Sequence, residues 1–300
     1  MGCRFEITAT ANDKSTALKA VEAGIAEITR IENLISEWIP TTQTSEINRN
    51  AGIAAVKVDK ELYDLVYRST KISALTQGAF DISFASMDRI WMFDGNEHPL
   101  PDSAVVRGAS QYINWQHIEL NSNDTTVFLT ESEMKIGFGA IGKGYAANRA
   151  KAIMEKIPGV IGGLVNASGD IMAWGESHHP EGWMVQIANP KDKTKALGWI
   201  RLNHLSIVTS GDYEKFFTFN GTRYAHIINP ASGYPITGIK SVTIICPDAE
   251  LADALATSVA VLGVNEGLQL VNQLAGVECL IVDEKDEIYT SDKIQLNYYQ

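Results

Sequence analysis

Cysteine is scarce in this chain. Cys3, Cys246 and Cys279 are its only three, an odd number with no C-x-x-C spacing. Nothing therefore points to a disulfide framework or a thiolate zinc site, and the three are expected to be small buried hydrophobes. Positive charge is also short: 25 Lys and Arg against 36 Asp and Glu give a formal charge of −11. With no basic run, a nucleic-acid partner is not expected, because phosphate binding rests on clustered cations. No apolar run reaches the roughly 18 residues of a membrane span, so none is expected. These residues begin with no signal-peptide pattern, and Glu6 stands where a myristoylation signal needs Ser or Thr. Internal repeats, low-complexity tracts and flexible linkers are missing too, so any two lobes must pack together.

What is present is ordinary for a globular protein: 300 residues, 45% apolar and 20% charged. The pattern reads as mixed α and β. "FEITATA" alternates like a strand, and Leu18, Val21, Ile25, Ile28, Ile31, Leu34 and Ile35 recur at helical spacing from about Lys14 to Glu37. "KELYDLVYRSTKISALTQG" predicts a helix stopped by Gly78, and "YAANRAKAIMEKI" one that ends before Pro158. Residues 94 to 125 read as loops around a short helix at 103 to 111 and a strand near "HIEL". Successive strands follow from Gly162 to Pro247, then two helices closed by glycines and a terminal hairpin.

"KIGFGAIGKGYAANRA", residues 135 to 150, fits two phosphate-binding patterns and completes neither. As G-x-G-x-x-G it lacks the acidic residue that would follow about 20 positions on, since residues 156 to 169 hold none. As G-x-x-x-x-G-K it ends on Gly144, where a P-loop places Ser or Thr for magnesium. A strand-to-helix turn of this kind favours an anion and Lys143 adds charge, but a plain tight connection reads equally well. Asp253 and Thr257, four apart on an otherwise apolar helix, suit magnesium; the competing reading is that Asp253 caps its helix and Thr257 bonds back one turn. In "TSGDYEKFFTFNGTRYAHIINPASGYP", a hairpin turning at Asn220-Gly221, His226 is either structural or a general base. A Ser210/His226/Asp212 hydrolase triad is disfavoured, because no G-x-S-x-G elbow is present.

Taken in order, these segments resemble the ApbE family of magnesium-dependent FAD:protein FMN transferases. "MGCRFEIT" is similar to its opening M-G-T strand, "SEWIPTTQTSEINRN" to its aromatic-then-S-E-I loop and "GAFDIS" to its G-x-F-D segment. "GAIGKGYAANRA", "VNASGDI", "TSGDYEKFF…RYAHIINPASGYP" and "ADALATSVAVLG" are similar to its remaining blocks. The resemblance implies an α+β, T-fold-like architecture, with antiparallel-rich sheets and packed helices in two closely packed lobes of a single domain over 1–300. It implies FAD contacts at Met1, Trp38, Ala79, Phe80, Asp81, Lys143, His226 and Ile227, and magnesium held by Asp253, Thr257 and the carbonyls of Ala140 and Ala256.

The implied reaction moves FMN from FAD to a Ser or Thr hydroxyl, releasing AMP; a base near that hydroxyl would help, and His226 is the candidate, with Asp212 in reserve. An FAD pyrophosphatase and a non-catalytic flavin-binding protein are the alternatives. The implied acceptor is a subunit of a membrane redox pump carrying D-x-x-[ST]-G-A-[ST]. Family members are mostly exported, often as lipoproteins, so a periplasmic or extracytoplasmic location is expected, with a cytoplasmic one still open. Two positions depart from the family. Gly137 replaces a usual Asp that contacts FAD, and Ser168 replaces the first glycine of N-x-G-G-D.

Overall fold

The computed structural model describes residues 2–87, 90–188, 196–211, 216–294 and 297–298. Strand β1 (Phe5–Ala11) leads into helix α1 (Lys14–Ile35), whose start is fixed by Asp13 accepting from the Thr16 amide at 2.9 Å. The helix stops at Ile35, two residues short of the expected end, because Ser36 is already extended. Its buried stripe is narrower than the apolar pattern suggests: Ile28, Ile31, Leu34 and Ile35 face the core, while Leu18 and Ile25 are exposed.

The polar run after Trp38, expected to be a loop, is helix α2 (Gln43–Arg49). Thr42 caps it, its hydroxyl accepting from the Ser45 amide at 3.1 Å. Short strand β2 (Val56–Lys57), helix α3 (Lys60–Leu75), a 3-10 turn at Ile82–Met87 and helix α4 (Ser103–Ser110) follow. Strands β3 (Ile118–Asn121) and β4 (Thr126–Leu129) complete a three-stranded sheet with β2.

Helix α5 (Gly142–Met154) precedes the β5 (Val160–Ala167) and β6 (Asp170–Gly175) hairpin, then β7 (Trp183–Ala188), β8 (Ala196–Leu202) and β9 (Leu205–Gly211). The hairpin of β10 (Phe216–Phe219) and β11 (Thr222–Ala225) turns at Asn220-Gly221, as the sequence predicts. Strand β12 (Ile239–Cys246), helix α6 (Ala249–Asn272), β13 (Glu278–Asp283), β14 (Ile288–Thr290) and β15 (Asn297–Tyr298) end the fold.

The frame is a seven-stranded antiparallel sheet in the order β1-β5-β6-β9-β12-β13-β14. Two apolar cores flank the site. One joins α1, α2, α3 and α5 to Val165, Met172 and Trp174 of the sheet. The other packs Ala252, Leu255, Ala256 and Val259 of α6 on Val208, Val242, Ile244 and Ile281. The sequence suggests two helices here; they form one run bent at Gly263, whose φ of 78° leaves helical space. Contrary to expectation, α6 has the length and apolar composition to cross a membrane. Its buried Ala, Leu and Val face instead covers the sheet.

Candidate active site

The glycine-lysine turn answers its own puzzle through packing. A Cβ built on Gly144 would lie 2.0 Å from the Ala249 carbonyl oxygen and 2.9 Å from the Asp253 Cβ. No side chain fits there, so the Ser or Thr of a P-loop is excluded by the approach of α5 to the start of α6. That approach is locked from both sides. The Asn148 amide donates to Asp248 at 2.8 Å, and its oxygen accepts from the Ala249 amide at 3.1 Å. Across the far face of α5, Tyr145 donates to Glu61 at 2.5 Å, and Glu61 is paired to Arg30 at 2.7 Å.

What the turn holds is a carboxylate of the protein itself. The Gly144 amide donates to Asp253 Oδ2 at 2.9 Å, so the positive end of α5 faces an acid on α6. Asp248 caps α6, accepting from the Leu251 amide at 3.0 Å, which removes the capping reading of Asp253. The back-bond beside it is made by Ser258, to Ala254 at 2.7 Å, rather than by Thr257. Lys143 Nζ lies 2.5 Å from Oδ2 of Asp170, a residue not among those the sequence singles out, and Asp170 Oδ1 accepts from the Thr209 amide at 3.1 Å.

Asp170 and Asp253 are 3% and 2% exposed. Burial raises the Asp253 pKa from its ordinary value, to about 7, and the Asp170 charge adds to the rise, while Lys143 and the Gly144 amide pull it down. Two carboxylates around one ammonium leave a negative charge in a dry place, which a hard cation would neutralise. The donor set fits magnesium on that ground. Among the described residues no three His, Cys, Asp or Glu converge on a metal position; Thr257 is half-buried one turn beyond Asp253, and it and backbone carbonyls are the oxygens that would be left to complete such a site.

The hairpin before Asp170 explains the Ser168 departure. Ser168 has φ 54°, in the left-handed region where glycine is favoured. Its hydroxyl accepts from the Arg4 amide at 3.2 Å and donates to the Arg4 carbonyl at 3.1 Å. The bonds offset the strain and tie the start of β1 to the cluster. Cys3, free and half-buried, sits close to Ser168, Lys143 and Asp170, and burial pushes its thiol pKa up.

A pocket of about 560 Å³ is lined by Trp38, Phe84, Trp91 and Phe93, with Glu37, Asn48, Arg49, Lys135 and His226 among its polar groups. The glycine run packs against three of its lining residues: a Cβ on Gly137 would meet Ala85 and Glu37, and one on Gly139 would meet Phe84. Asn48 holds that run, donating to the Ile136 carbonyl at 2.9 Å and accepting from its amide at 2.8 Å. One stretch of backbone thus packs against lining residues of an aromatic pocket at Gly137 and Gly139 and reaches the acidic cluster at Lys143 and Gly144.

Trp38 is 70% exposed at the pocket wall, open for stacking on a flat ring. His226 lies just past the end of β11, edge-on to Phe93 with ring centroids 6.5 Å apart. Ala140 is half-buried in the turn. Ala79, Phe80, Asp81 and Ile227 are buried. Both Asp81 oxygens are already engaged, by the Ser83 amide and hydroxyl and by the Trp115 amide, so this acid shapes the 82–87 turn beneath Phe84. Met1 and Asp212 lie outside the described residues. Sequence reasoning passed over Glu37, Asn48, Trp91 and Phe93; the spacing of tryptophan and phenylalanine in "IWMF" was the available signal.

The ApbE family model matches residues 1–281. The chain is 29% identical over 273 residues to a FAD:protein FMN transferase of Klebsiella pneumoniae (strain 342), covering 90% of this chain and 84% of the relative. It is similar in structure to the ApbE protein of Thermotoga maritima, with a TM-score of 0.88, 29% identity, and coverage of 97% and 94%. The apo flavinyl transferase ApbE of Pseudomonas stutzeri matches in fold with a TM-score of 0.84 at 23% identity, covering 97% and 92%.

Proposed function

The chain belongs to the ApbE family, and on that premise we propose that it transfers FMN from FAD to a Ser or Thr hydroxyl of an acceptor protein. The observation that carries this reading is the buried Lys143–Asp170–Asp253 cluster, joined by one glycine run to residues that line an aromatic pocket. An anionic pyrophosphate between two ring systems matches that layout. Rings stack where Trp38 stands, and the phosphates reach Lys143.

Magnesium, when bound by Asp253, Thr257 and the Ala140 and Ala256 carbonyls, supplies charge neutralisation for the pyrophosphate oxygens. The chain's own residues do the rest. Asp170 orients the Lys143 ammonium, and the Gly144 amide fixes Asp253 in place. His226, on the pocket wall, takes the hydroxyl proton as the acceptor oxygen bonds to the FMN phosphorus. The bond from that phosphorus to the bridging oxygen breaks, and AMP leaves carrying both electrons of the bond. Asp212 is the reserve base.

The acceptor we expect is a redox-pump subunit bearing D-x-x-[ST]-G-A-[ST], met outside the cytoplasm. The test is AMP release from FAD and magnesium with and without an acceptor domain carrying that motif. Release that depends on the acceptor, with flavin becoming covalent, supports transfer. Equal release of AMP and free FMN in both arms means a pyrophosphatase, and FAD binding without release means a binding protein.

A further inference from the structure

We propose that Arg68 and Glu250 are positioning residues for the reaction, an ion pair behind the site that sets the first turn of α6, and with it Asp253, against α5; the inference rests on the transferase reading. Glu250 and Asp253 are three apart in α6, so they leave neighbouring points of one face, and both are buried. Asp253 is held by the Gly144 amide of α5. Glu250 is held from α3: Arg68 Nε donates to its Oε1 at 2.7 Å and Nη2 to its Oε2 at 3.0 Å. Two parallel bonds between planar groups fix orientation as well as distance, which a single contact does not.

The same guanidinium also steadies α5. It lies over the Tyr145 ring, 5.6 Å from the centroid, and the Tyr145 hydroxyl donates to Glu61 of α3. Lys143 and Tyr145 are two apart on α5 and point to opposite sides, Lys143 to Asp170 and Tyr145 to α3. Arg68 thus grips α5 and α6 together on the side away from Lys143. For stability alone an ion pair is a costly joint. Burial raises the Glu250 pKa from its ordinary value; Arg68 pulls it down, and the charges of Asp248 and Asp253 push it up. An apolar pair of similar volume is often as stable or more so. What the charged fork adds is a set rotation of α6, and that rotation decides where Asp253 meets the Gly144 amide.

The test compares the full chain with Arg68→Met/Glu250→Met, which removes the pair without leaving a buried charge unpaired, and with Arg68→Lys, which keeps a cation but not the fork. Lys60→Met, which loses the exposed Lys60–Asp64 pair at the start of α3, is the control. Thermal unfolding checks folding. Amide hydrogen exchange of Gly144, followed by NMR with isotopically labelled glycine, reads the junction without FAD or metal. AMP release with FAD, magnesium and an acceptor domain gives kcat and the magnesium KM. In the double variant Gly144 exchange should quicken by roughly tenfold to a hundredfold, as expected for weakening one hydrogen bond to a charged group. The magnesium KM should rise by a similar factor while kcat at saturating magnesium falls less; Arg68→Lys should move both readouts the same way, and Lys60→Met neither. Gly144 exchange indifferent to the pair, or a loss of kcat at unchanged magnesium KM, would overturn the proposal, and Arg68→Lys alone decides it if the double variant does not fold. A wild-type chain that releases no AMP would overturn the transferase reading itself, leaving the exchange result intact.

Discussion

Gly144→Ala is the most informative single substitution, because it adds one methyl at the junction on which the site depends. The new carbon would sit 2.0 Å from the Ala249 oxygen and 2.5 Å from the Ala249 carbonyl carbon, both backbone atoms. Ordinary contact needs about 3.5 Å, so α5 and α6 must separate by more than about 1 Å. Overpacking of this kind costs about 1–3 kcal/mol. Separation also stretches the 2.9 Å bond from Gly144 to buried Asp253, and a buried charged acceptor left short costs about 1–3 kcal/mol more. The expected total of roughly 2–6 kcal/mol lowers Tm by roughly 4–12 °C. Turnover should fall further than stability, since Lys143 and Asp253 are displaced relative to each other. Gly108→Ala is the matched control: it lies within α4 with nothing within 4 Å of its Cβ, and should be neutral or slightly stabilising. A Gly144→Ala protein that melts within about 1 °C of wild type and turns over normally would refute the packing argument.

Asp253→Asn should abolish magnesium-dependent turnover, read by AMP release. Because the folded pKa of Asp253 lies above its ordinary 3.8, the metal-free folded state holds an extra proton between about pH 4 and 7. Its stability should therefore fall as pH rises through that window, magnesium should reverse the trend, and Asp253→Asn should flatten that part of the Tm profile. Lys143→Ala leaves Asp170 buried without its ammonium and should cost about 3–5 kcal/mol in chemical denaturation. Adding Asp170→Asn should restore much of the stability while the FAD KM stays high. His226→Asn should bind FAD nearly normally yet transfer FMN about 10²- to 10⁴-fold more slowly; parallel loss of both would make His226 a cofactor contact.

The elements with strong local signals were legible: the β10–β11 turn at Asn220-Gly221, the start of α1 at Lys14 and the break of α6 at Gly263 all occur where pattern predicts. Helix α2 was missed because seven mostly polar residues carry little periodicity, and its signal was the Thr42 cap. The end of α1 and the exposure of Leu18 and Ile25 depend on what packs against the helix, which spacing does not encode. Within the candidate site, Asp253 and Lys143 stood out in the sequence, and the structure brings both to one cluster. Their arrangement was not legible, because Gly144 and Asp253 are 109 residues apart and meet only through the α5–α6 crossing. Asp170 and Glu250 escaped notice for the same reason. Each is unremarkable in its own segment and acquires meaning from Lys143 or from Arg68.

In the proposed reaction the α5–α6 junction promotes attack of a protein hydroxyl on the pyrophosphate of FAD. Intact-mass spectrometry of an acceptor domain incubated with the chain, FAD and magnesium tests it most directly. One FMN phosphoester should be added per acceptor Thr or Ser, with AMP in equal amount. That product should vanish with chelator, with Asp253→Asn, and when the acceptor hydroxyl is replaced by Ala or Val. An unmodified acceptor in the complete reaction, or FMN transfer that survives Asp253→Asn, would contradict it.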